Sequence, residues 1–147
     1  AYVKMLGQCN SQPLKPLWAL VPDVVADMDR TMEMFYEWLP KVQEYGFPIA
    51  FAVQDGMTYK DVPPEARVVF VGGTLKWKYR NISQFVDNFP THVGRINTYD
   101  KLCQLADMGV ESVDGSGWTR GDRGQFYGLR QFLSEQQNNQ RKQISCV

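Results

Sequence analysis

Five short apolar runs, separated by stretches with helical spacing, limit what this chain can fold into. They are "LWALV" (17–21), "IAFAV" (49–53), "VVFV" (68–71), "THVG" (91–94) and "VESV" (110–113). They are rich in β-branched residues and nearly continuous rather than alternating, as strands buried on both faces of a parallel sheet are. Between the first two, Met28, Met32, Phe35, Leu39 and Val42 recur at spacings of three and four within residues 26–46, and Gly46 supplies a stop. Pro40 is expected to kink or end that helix early. Residues 80–88 and 98–108 read as two further helices, the second with Thr98 as N-cap and Gly109 as stop. A last helix over 125–138 runs into the polar stretch "SEQQNNQRKQ", which is expected to fray. The Pro-rich link "DGMTYKDVPPEAR" has room for one short turn only.

The resulting order, β-α-β-(short)-β-α-β-α-β-α, predicts an α/β fold. Its parallel β/α units match a TIM-type barrel with about five strands present, that is, a partial barrel; an open doubly wound sheet has the same order. One domain over 1–138 and a flexible polar tail over 139–147 follow from the 147-residue length and the composition of the tail. The opening "AYVKMLGQ" reads as a helix already under way, as in a fragment or processed product.

Composition narrows the function classes. No apolar run reaches the roughly 20 residues of a bilayer span, and no signal pattern opens the chain. Cys9, Cys103 and Cys146 lie far apart, and His92 is the only histidine, so no metal site is expected. An odd, unframed cysteine count points to a reducing, cytoplasmic compartment. Net charge is zero, but residues 1–70 hold six Lys/Arg against nine Asp/Glu, and residues 71–147 hold ten against seven. The basic balance of the second half fits a polyanion near its loops.

Ligands of parallel α/β proteins bind beyond the C-terminal ends of the strands. Each run here is followed there by a polar or glycine cluster: Asp23; Gln54 and Asp55; Gly72, Gly73 and Thr74; Gly94, Arg95 and Asn97; and Asp114. Each has an ordinary explanation taken alone. Asp23 could cap a helix, Gln54-Asp55-Gly56 could be a turn, Gly72 and Gly73 could relieve a bend, and His92 could be a core residue. Together they form an inventory of donors and acceptors able to read a flat heterocycle such as a purine.

The ordered set "VPD", "AVQDG", "VGGT", "HVGRINT" and "GVESVDGSGWTR" resembles the tRNA-guanine transglycosylase superfamily, and is most similar to the phage and bacterial branch that inserts 7-deazaguanines into DNA. The resemblance spans residues 17–120. It implies that Asp114 attacks C1′ of a nucleotide, expels guanine and holds a covalent sugar intermediate. It further implies base binding by Asp23, Gln54, Gly72, Gly73 and Thr74. Contact with the sugar-phosphate chain falls to Lys76, Lys78, Arg80, Arg95, Trp118 and Arg120. The zinc-binding Cys/His cluster of that family has no counterpart after residue 120, and Trp118 stands where its nucleophile loop has proline. The implied partners are a nucleic acid, DNA or RNA, and a free purine or 7-deazapurine base, with no cofactor and no membrane. A homodimer, another partner or a missing N-terminal segment is expected to complete the barrel by covering an open strand edge. Two other functions use the same residues: a non-catalytic nucleobase- or nucleotide-binding module, and a hydrolase in which water cleaves the N-glycosidic bond.

Overall fold

A computed structural model describes residues 1–144, with the side chains of 139–144 outside the description. All five runs are strands: β1 (Ala19–Leu20), β2 (Ile49–Val53), β3 (Val68–Val71), β4 (Thr91–Val93) and β5 (Ser112–Val113). They are parallel and hydrogen-bonded in sequential order. The helices are α1 (Tyr2–Asn10), α2 (Met28–Gln43), α3 (Leu75–Val86), α4 (Tyr99–Asp107) and α5 (Arg123–Ile144), and a 3₁₀ turn covers Tyr59–Asp61. The chain thus has the mixed α/β class expected of it. It gathers into two compact units, Ala1–His92 and Val93–Val147, divided within β4.

In the first unit β2 is the central strand, and all five of its residues are buried. It pairs with β1 through Ala19–Ile49 and Leu20–Ala50, and with β3 from Ala50–Val68 to Val53–Val71. Helix α2 lays Phe35, Leu39 and Val42 on this sheet, with Phe35 meeting Phe51 edge-to-face at 5.0 Å. That geometry contributes about 1 kcal/mol beyond burial. Asp27 caps α2 by accepting from the Arg30 N–H at 3.0 Å, so Asp23 is not the cap. The helix runs three residues beyond Pro40 instead of ending there. The bond that Pro40 cannot make would go to the carbonyl of Tyr36, an exposed residue where water can serve. The chain after α2 turns at Gly46, whose φ of 70° is left-handed. His92 is buried between Trp18 and Phe70, each ring 5.0 Å away, and is a core residue.

The outer edge of β1 is two residues long, and the Tyr2 hydroxyl of α1 donates to the Leu20 carbonyl on it. A short, occupied edge is one of the ways proteins blunt an exposed strand.

In the second unit β5 joins β4 through Asp114 N–H to the Val93 carbonyl at 3.2 Å. Helix α4 buries Leu102 and Leu105, and α5 crosses it closely at Gly128, where an added Cβ would lie 3.1 Å from Cβ of Tyr99. The Tyr99 hydroxyl donates to Glu135 at 2.7 Å. Acceptance by that carboxylate, with a contribution from Cys103, pushes the phenol well above its ordinary range. Helix α5 continues through the polar stretch to Ile144; residues 145–147 of the expected tail lie outside the described residues.

Candidate functional site

Each unit carries one cluster built from the residues that follow its strands. In the first unit the centre is Gln54, directly after β2 and fully buried at 0% exposure. Its Oε1 accepts from the Ala26 N–H and the Gly73 N–H, both at 2.9 Å, and its Nε2 donates to Asp23 Oδ2 at 2.7 Å. One amide therefore ties together the segments after β1, β2 and β3. Both lone pairs of its oxygen are used inside the protein. Gln54 is thus spent on the protein's own loops, and it holds Asp23, which is half-buried.

Asp55 makes the second tie. Its two oxygens accept from the Thr74 N–H at 2.7 Å and the Thr74 hydroxyl at 2.5 Å at the start of α3. Burial pulls the Asp55 carboxyl up, but the Thr74 bonds outweigh it and hold the group below its ordinary value. Gly72 and Gly73 are required by these two side chains. A Cβ on Gly72 would lie 2.8 Å from Gln54 Nε2, and one on Gly73 would lie 2.4 Å from Asp55 Oδ2. The room that the missing Cβ atoms leave is filled by the protein's own amide and carboxylate. The Gly73 and Thr74 N–H groups are likewise already engaged.

The basic stretch on α3 divides by helical phase. Lys76 and Arg80 are exposed four residues apart, where a phosphate chain could meet them. Lys78 does not share that role: it is fully buried, at 0% exposure, with Ile82 and Phe85 on the inner face of α3. The spacing 78, 82, 85 is the signal in the sequence that marks it as an inward residue.

In the second unit the cluster centres on Asp114, the exposed residue directly after β5. Its Oδ1 accepts from the Arg95 N–H at 3.0 Å, its carbonyl accepts from Ile96 N–H at 2.7 Å, and its own N–H goes to Val93. The glycine loop beyond it is pinned to the segment after β4. Gly117 N–H donates to Asn97 Oδ1 at 2.8 Å, and Trp118 Nε1 donates to the Asn97 carbonyl at 3.2 Å. A Cβ on Gly115 would stand 2.0 Å from the Ile96 carbonyl oxygen, so only glycine allows this approach. Arg95 and Arg120 are exposed, and Trp118 is half-exposed.

Two residues other than glycine have positive φ among the described residues: Ala26 at 61° and Arg95 at 64°. Each is the donor to one of the two central side chains, Ala26 to Gln54 and Arg95 to Asp114. A left-handed residue with a side chain costs about 1–3 kcal/mol and survives only where its surroundings over-determine it. Ala26 itself is held by Gln54, and just before it buried Thr31 bonds both the N–H and the carbonyl of Val24 at 3.0 Å. Around Arg95 the holding falls to the three bonds of Asp114. Neither residue is of a type that advertises positive φ in a sequence.

The donor set does not fit a zinc ion. Among the described residues no group of three or more His, Cys, Asp or Glu side chains stands close enough together to hold a metal. No helix among them is long and apolar enough to cross a membrane. No protein-family model and no curated protein matches the sequence.

Proposed function

We propose that the chain is a nucleobase-exchanging glycosyltransferase that replaces guanine in a nucleic acid with a 7-deazaguanine, with Asp114 as nucleophile. Its β/α units are read as part of a TIM-type barrel of the transglycosylase kind. The observation that carries the proposal is Asp114 itself: an exposed carboxylate at the C-terminal end of a parallel strand, aimed by the N–H of a strained residue. An Asp kept only for turn geometry needs no strained donor to orient it.

An Asp114 oxygen attacks C1′, and the C1′–N9 bond breaks with its electron pair passing to the purine. The purine takes up a proton as it leaves. The incoming base then attacks C1′ through its own ring nitrogen, loses that nitrogen's proton and frees the carboxylate. The family resemblance gives Asp23 the reading of the base: guanine presents N1–H and N2–H donors, which suit a carboxylate acceptor. Gln54 positions Asp23. The target base must leave its stack to be reached, which favours single-stranded or flipped substrates.

Exchange of radiolabelled guanine into a guanine-containing DNA or RNA tests the reading. Label incorporation that Asp23→Asn and Asp114→Asn both abolish is expected. Release of free guanine with no incorporation of added base would instead indicate a hydrolase.

A further inference from the structure

Resting on the reading of the chain as one that acts on nucleic acid, we infer that the cleft at the start of α5 is a stacking site for a nucleotide flanking the target. The cleft has a volume of about 690 Å³ and lies wholly within the second unit. Its walls are Trp118, Phe126 and Tyr127, with Asp122 and Arg123 at its polar side.

Three features point to a base as occupant. First, the aromatic surface is left open to water: Phe126 is 44% exposed and Tyr127 is 62% exposed, their rings 6.0 Å apart and inclined at 64°. Trp118 is fixed by its indole bond to Asn97, so one wall is rigid before anything binds. Second, the charge is right for a phosphodiester strand. Residues 115–130 contain Arg120, Arg123 and Arg130 against one acid, Asp122. That acid is committed to the helix, accepting from the Gln125 N–H at 3.0 Å as a cap. Third, the cleft begins four residues after Asp114, on the same pinned loop. A strand whose sugar is held at Asp114 therefore has its next nucleotides within reach of these rings. Aromatic platforms beside basic groups bind single strands with little sequence preference, because every base offers a π face.

The test uses the full chain and a short fluorescein-labelled single strand, made as DNA and as RNA, followed by anisotropy. Phe126→Ala and Tyr127→Ala are each expected to weaken binding roughly 5- to 100-fold. Arg123→Ala is expected to weaken it and to lower the salt slope by about one. Both aromatic residues are exposed, so these variants should keep the fold, which circular dichroism checks. Phe126→Leu keeps an apolar surface but removes the ring; it should bind as poorly as the alanine variant. Wild-type affinity in Phe126→Leu would overturn stacking in favour of an apolar docking face, and unchanged affinity in all the variants would overturn the site. The tighter of the DNA and RNA arms names the strand. Unchanged affinity in these variants, with guanine exchange intact in the parent chain, would sink this inference alone. Stacking without any exchange would leave the cleft standing and remove the proposed reaction.

Discussion

The clusters of the two units are built on one plan and differ in what they offer to solvent. In both, a polar side chain just beyond a strand is held by the N–H of a left-handed residue, Ala26 for Gln54 and Arg95 for Asp114. In both, a glycine lets another segment approach closely, Gly73 against Asp55 and Gly115 against Ile96. The difference is exposure. Gln54 is neutral, fully buried and internally bonded through three hydrogen bonds, whereas Asp114 is charged and faces solvent. Similar scaffolding thus serves two ends: in the first unit it locks a junction of three strands, and in the second it presents an exposed carboxylate.

That contrast can be tested from the first unit outward. Gln54→Ala removes all three bonds, one of them to the buried Gly73 N–H, so a loss of about 3 kcal/mol in urea unfolding is expected. A loss below about 1 kcal/mol would show that Gln54 is not the tie that holds the loops. Gly73→Ala forces a Cβ onto a left-handed residue and against the Asp55 cap; about 2 kcal/mol should be lost. At Ala26 the sign reverses. Ala26→Gly relieves left-handed strain at some cost in chain entropy, for a net gain of about 0.5 kcal/mol. A net loss there would mean that Ala26 is not strained.

The smallest effect is pH-dependent. The folded pKa of Asp55 lies below its unfolded value, so its contribution is present above the unfolded value and fades as pH falls through the folded one. Unfolding followed below about pH 4 should show a shallower acid loss in Asp55→Asn than in the parent chain. Identical acid slopes would remove the Thr74–Asp55 tie from the account.

Much of this was legible in the residues. "IAFAV" and "VVFV" are strands at the expected bounds, because an unbroken β-branched run of that length has few other uses. The alternation of these runs with helical spacing gave the parallel α/β class. The gathering of polar groups after the strands was legible too, within each unit. What was hidden depends on contacts that spacing does not encode. Helix α3 begins at Leu75 rather than near residue 80, because "LKWKY" looks basic while its inner face, Lys78 included, is buried. The positive φ of Ala26 and Arg95 goes with the bonds that their N–H groups make to Gln54 and Asp114, which neither residue's type announces. The closed bonding of Gln54 needed coordinates, since "VQDG" is compatible with a base reader, a turn or a clip.

The most direct test of the central claim, that Asp114 is the reacting group, is peptide mapping of a trapped adduct. The full chain is incubated with a guanine-containing single strand, denatured, digested and examined by mass spectrometry. A sugar-linked strand on the peptide carrying Asp114 is expected, and it should vanish in Asp114→Asn, whose side-chain oxygen can still accept from Arg95 and so preserve the loop. An adduct on another residue, or one that persists in Asp114→Asn, would contradict the account.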